Sequence, residues 1–157
     1  MFRFTPFIVA LALISGVASA QAQTADRKII TLDGAKAIVA AAEAEALKNK
    51  WTVAIAVVDE SGNLIAFHKL DDTQVGSIDI AIGKARTAAR MKRSTKALED
   101  AVAGGRTVML AIEGLTPLEG GVPVMLGGRV IGAVGVSGVT SQQDAQVAQA
   151  GVAALKQ

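Results

Sequence analysis

The chain contains no cysteine and no tyrosine, and only one histidine and one tryptophan among its 157 residues. Without cysteine there is no disulfide, no thiolate nucleophile and no thiolate ligand for zinc or an iron–sulfur cluster. Stability must then come from packing and from assembly. Three of the four phenylalanines, Phe2, Phe4 and Phe7, lie in the first seven residues, so Trp51 and Phe67 are the aromatics of everything that follows. Platforms on which bases or sugars could stack are nearly missing. Lysine and arginine exceed aspartate and glutamate by only 16 to 14, a net charge of +2. That balance gives no electrostatic footprint for nucleic acid or for an acidic surface.

Residues 1–20 read MFRFTPFIVALALISGVASA. One early cation, Arg3, precedes an apolar run from Phe7 to Ile14, and Ala18-Ser19-Ala20 supplies the small residues of a cleavage site. This is the pattern of a secretory signal peptide cut after Ala20. The apolar run is too short to cross about 30 Å of hydrocarbon. The expectation is an exported protein, periplasmic or secreted, with no membrane span once the signal is removed. Residues 21–30 then form a flexible polar leader, and 31–157 form one domain, since no linker, repeat or low-complexity tract divides them.

Within that domain Thr31 is placed to cap a helix whose apolar positions Ala35, Ile38, Val39, Ala42, Ala46 and Leu47 keep the helical period as far as Asn49. WTVAIAVVD (51–59) and LIAFHKL (64–70) are extended runs around the turn 60–63, a hairpin. From Ser77 to Arg90 the period is helical again, with Ile78, Ala81, Ile82, Ala85 and Ala88 on one face and Asp79, Arg86 and Arg90 on another. A short helix starts at Ser94 or Thr95 and stops at Gly104-Gly105. Arg106 to Ile112 reads as a further strand. VPVML and RVIGAVGV follow as a pair joined by Gly127-Gly128, which can supply the positive φ of a two-residue hairpin turn. A last helix opens near Ser141, with Asp144 three residues on as a capping box. The economical packing is of mixed α/β (α+β) class: a five-stranded antiparallel sheet flanked by helices.

The stretch EGGVPVMLGGRVIGAVGVSG (119–138) is rich in glycine without being a nucleotide loop. Gly132, Gly135 and Gly138 are spaced G-x-x-G-x-x-G, not G-x-G-x-x-G, and the first two sit inside a strand. No Gly-Lys-Ser/Thr follows, and Ser137 lies in GVSG rather than in a G-x-S-x-G elbow. Strand glycines instead mark places where another backbone or a ligand comes close. The helix start at Thr140, Ser141 and Asp144 keeps one functional reading, because free N–H groups at a helix N-terminus hold carboxylates and phosphates.

KARTA (84–88), EGGVPV (119–124), VIGAVGVSG (130–138) and Gln143-Asp144 together resemble the GlcG/HbpS family of haem-binding-like proteins, from about Ile30 to the end of the chain. The same module resembles the carboxy-terminal domain of PduO-type cobalamin adenosyltransferases, although no adenosyltransferase portion is present. The resemblance implies a profilin-like fold, a homo-oligomer, and the binding of haem or another small ligand. The family's Asp-x-x-Gly turn matches Asp59 and Gly62. Its Arg-Met-Asp appears as Lys69-Leu70-Asp71, so a possible sulfur ligand is missing.

Haem iron takes His, Met, Cys or Tyr as axial ligand. Beyond the leader the sequence offers His68, Met91, Met109 and Met125. Met109 and Met125 lie in apolar runs and read as core, which makes His68 the candidate metal ligand. For an anionic group, Lys84 is the candidate cation, since it falls beside an apolar helix face. Lys84 with Thr140, Ser141 and Asp144 would then form one anion pocket. Two functions stay open: a haem or tetrapyrrole binding protein, and an accessory protein or enzyme acting on a small organic acid. No residue set nominates a catalytic group.

Overall fold

The computed structural model describes Met1 and residues 26–155. Apart from Met1, the signal peptide expected over residues 1–20 and residues 21–25 of the leader lie outside the described residues. The elements run α1 (Leu32–Lys48), β1 (Ala54–Asp59), β2 (Leu64–Lys69), α2 (Ser77–Met91), α3 (Thr95–Ala103), a 3₁₀ helix (Thr107–Ala111), β3 (Gly121–Leu126), β4 (Arg129–Ser137) and α4 (Ser141–Ala153). The strands form one antiparallel sheet in the order β2-β1-β4-β3. The sheet therefore has four strands, not the five expected.

The discrepancy lies in Arg106–Ile112. Met109 is the buried residue of the 3₁₀ helix, while Val108, Leu110 and Ile112 remain exposed. Hydrogen bonds from Met109 N to Arg106 O and from Ile112 N to Met109 O close tight turns where a ladder was expected. A single packed side chain anchors a turn and does not supply the alternate buried positions that fix a strand's register.

The sheet is covered on both faces, and the sequence of β1 shows why. All of Ala54 to Val58 is buried, Ile55 and Val57 on one side, Ala54, Ala56 and Val58 on the other. On the first face α1 and α4 bring Ile38, Val39, Val147 and Ala148 to Ile55, Val57, Val134 and Val136. On the second face α2 lays Ala81, Ala85 and Ala88 against Ala54, Ala56 and Ala133. Small residues on both partners let α2 come close to the sheet. A Cβ on Gly135 of β4 would run into the Ala81 carbonyl oxygen and the Ala85 nitrogen, so only glycine fits at this crossing. Ile30, at the end of the leader, is 5% exposed and belongs to the first cluster.

Both hairpins form. Gly127 and Gly128 take φ of 56° and 75°, the left-handed conformations of a two-residue turn. At the β1–β2 turn the Asp59 carboxylate accepts from Ser61 N at 2.9 Å and Asn63 N at 2.8 Å. Burial pushes its pKa upward, but the hydrogen bonds from Asn63, Ser61 and Gly62 outweigh it and hold the carboxyl below its ordinary value. Two arginines of α2 fasten the same turn, Arg90 Nε donating to Ser61 O at 2.8 Å and Arg86 Nε to Gly62 O at 3.2 Å.

Candidate functional site

His68 is the next-to-last residue of β2, which is an edge strand. It pairs across the ladder with Ile55, and that places it on the face covered by α1. From α1, Glu43 reaches it with Oε2 at 2.9 Å from His68 Nδ1. In the neutral ring Nδ1 then carries the hydrogen and donates it to the carboxylate, and the Nε2 lone pair is left for another partner. A carboxylate behind an imidazole is the arrangement that fixes ring orientation and raises basicity in histidines that bind metals. The side chain is 56% exposed and borders a shallow groove of about 440 Å³ lined by Glu43, Phe67, Lys69, Leu70 and Asp71. Among the described residues no group of three His, Asp or Glu side chains is placed to hold a metal ion. Iron here would be held by one protein ligand within a larger group.

The methionines are distributed otherwise than expected. Met109 is buried as anticipated, but in the 3₁₀ helix, whereas Met125 is 42% exposed on the edge strand β3 and is not core. The register irregularity between Val124 and Met125 accompanies this change of side.

Lys84 lies on the buried side of α2 and is 2% exposed. Its ammonium donates to Asp144 Oδ2 at 2.8 Å and to Val136 O at 3.0 Å. Asp144 is equally buried and also accepts from Val139 N at 3.2 Å. The structure thus brings Lys84 to Asp144 at the start of α4, where α2, β4 and α4 meet, but as a buried ion pair in which Asp144 takes up the charge of Lys84, rather than as the anion pocket expected of Lys84, Thr140, Ser141 and Asp144. Burial pushes the Asp144 carboxyl up, against the opposing pull of Lys84 and the backbone donors of 138 and 139. Thr140 is the N-cap, its hydroxyl accepting from Gln143 N while Gln143 Oε1 accepts from Thr140 N. The capping box is therefore Thr140 with Gln143, one residue earlier than the Ser141 with Asp144 box expected, and Ser141 is the first residue of the helix. The shift matters because it frees Asp144 from capping duty and turns it inward to Lys84.

The glycines of EGGVPV belong to the same place. Gly120, at φ 123°, sits where a Cβ would come within 2.8 Å of Lys84 Nζ and 2.9 Å of Asp144 Cβ. Its carbonyl accepts from Val136 N, and Gly121 N donates to the Thr95 hydroxyl at 2.8 Å. Glycine here lets backbone close directly over the ion pair. Glu43 was not singled out from the sequence, since nothing in the spacing of residues 43 and 68 signals their meeting. Lys84 was, by its place beside an apolar face.

A family model described as "Haem degrading protein HbpS-like" matches residues 30–153. Protein GlcG of Escherichia coli K12 is 50% identical over 109 residues, 69% of this chain and 81% of that protein. A crystal structure of a double mutant of HbpS from Streptomyces reticuli superposes with a TM-score of 0.80 at 31% identity, covering 97% of this chain and all of that one. A PduOC complex with haem gives 0.75 at 28% identity, over 82% of this chain and 96% of that one. The family model spans most of the chain and GlcG shares half of the aligned residues, so the chain belongs to the HbpS-like family.

Proposed function

We propose that the protein is an exported small-ligand-binding protein whose ligand is haem or a related tetrapyrrole, with His68 as the axial ligand. The observation that carries this reading is the His68–Glu43 pair on the open edge of β2, the one imidazole of the sequence oriented by a carboxylate. The donor chemistry fits the group, because neutral imidazole is an ordinary haem ligand and Nε2 is uncommitted by that bond. Haem, when bound, would supply a redox-active iron and a large apolar face. The residues of this chain would hold the group at His68 and orient its imidazole through Glu43. The likeness to a PduOC chain crystallised with haem supports the reading. The amino-terminal pattern of residues 1–20 supports export, and the exposed apolar side chains near β3 support self-association into a homo-oligomer.

Haem titration followed by absorbance tests the site. Wild-type protein should develop a Soret band with an imidazole-type spectrum, His68→Ala should lose that spectrum, and Glu43→Gln should keep it with affinity lower by about tenfold, the effect of losing a carboxylate behind a ligating histidine. An identical spectrum and affinity in His68→Ala would remove His68 from the site.

A further inference from the structure

At the opposite end of β2 from His68 lies a second cavity, of about 520 Å³, that the haem reading leaves unused. It opens between the β1–β2 turn, the C-terminal end of α2 and the β3–β4 hairpin. Arg27, Lys28, Lys92 and Arg129 line it, against two carboxylates, Asp26 and Glu60. Arg27 is engaged with Glu60 at 3.3 Å. Among the described residues Lys28, Lys92 and Arg129 form no ion pair, and with Asp26 as the carboxylate left beside them the lining keeps an excess of positive charge. The wall between them is apolar, formed by Ala89, Leu126, Val130 and Ile131. None of the lining residues is a His, Met, Cys or Tyr, so this is not a place where haem iron could be ligated.

The rim is also fixed in place. Arg86 and Arg90 hold the carbonyls of Gly62 and Ser61, and a Cβ on Gly62, at φ 89°, would come within 2.7 Å of Arg90 Nε. Lys92 is held in the left-handed region at φ 52° as the C-cap of α2, its N–H tied back to Ala88 O and Ala89 O. Cations gathered around one cavity repel one another, and an anion placed among them relieves that repulsion. Guanidinium groups in particular suit the planar oxygens of a carboxylate.

We infer that this cavity is a binding site for a small organic acid, an apolar body carrying a carboxylate, with Lys28, Lys92 and Arg129 holding the charge and Val130 and Ile131 the body. The site is separate from the His68 groove and does not depend on it.

The probes are benzoate, its neutral isostere benzamide, and inorganic phosphate, each titrated into the full chain with the amide signals of Gly127 and Gly128 and the methyl signals of Ile131 followed by NMR. Benzoate should shift these signals saturably, benzamide should not, and phosphate should act only weakly. The double variant Lys92→Gly and Arg129→Gln should weaken benzoate by at least about tenfold, equivalent to about 1.4 kcal/mol. Both positions are exposed, and glycine suits the backbone at 92, so the fold is retained. The inference is overturned if benzamide binds as well as benzoate, if the double variant binds unchanged, or if phosphate saturates the site and benzoate does not.

Discussion

Lys84 and Asp144 are the charged members of the buried set among the described residues. Taking two such groups out of water is unfavourable, and the compensation comes from their mutual contact and from Val136 O and Val139 N. Removing one partner leaves the other charge buried and alone. Lys84→Met and Asp144→Leu should therefore each lower stability by about 3–5 kcal/mol in denaturant unfolding, whereas the double variant should recover most of the loss. Additive losses in the cycle would show that the two residues act independently. The residue scale is also where the sequence was partly legible. Lys84 stood out because a cation beside an alanine-rich helix face is unusual, and the α4 start because its capping residues are recognisable. Their pairing was less visible, for a one-residue shift of the capping box decides whether Asp144 faces solvent or Lys84. Glu43 left no trace, because a contact between a helix and a strand 25 positions later is made by tertiary packing alone.

Among the elements, α1, α2, α3 and both hairpins could be placed from period and turn chemistry, since Thr31 and Ser94 do cap their helices and Gly127-Gly128 does turn. The segment Arg106–Ile112 could not, because a short apolar run between glycines fits a strand and a packed turn equally well. What decides it is burial, which here falls on Met109 alone. Helix α2 crosses β4 at Gly135, where a Cβ would lie 2.1 Å from Ala81 O. Gly135→Val should force α2 off the sheet and lower stability by about 1–3 kcal/mol or more, the usual effect of overpacking a filled core. Gly128→Val, with no atom within 4 Å of its Cβ, should instead show only the strain of a positive φ. Equal losses at the two positions would argue against close helix–sheet approach as the reason for Gly135.

For the whole molecule the two edges of the sheet are chemically unlike. The β2 edge carries His68 and Lys69, both exposed, and the charge of Lys69 is of the kind that protects a free edge. On the β3 side Val108, Leu110, Ile112 and Leu118 are exposed between α3 and β3, and Met125 on the strand itself. Apolar side chains grouped beside an unpaired strand mark a surface that a second copy can cover. Sedimentation or light scattering at micromolar concentration should give a mass above that of one chain, and Val108→Asp with Leu110→Asp should return it to one. A wild-type mass equal to the monomer, unchanged on concentrating, would refute self-association. Unlike edges also set what an assembly presents to its surroundings. If copies join through their apolar margins, every His68 groove lies at the sheet edge away from the junction, and with the ligand proposed for that groove one particle would display several equivalent docking points to the outside. A surface bearing many copies of the ligand would then be gripped at several points at once, and release would require all of them to let go together.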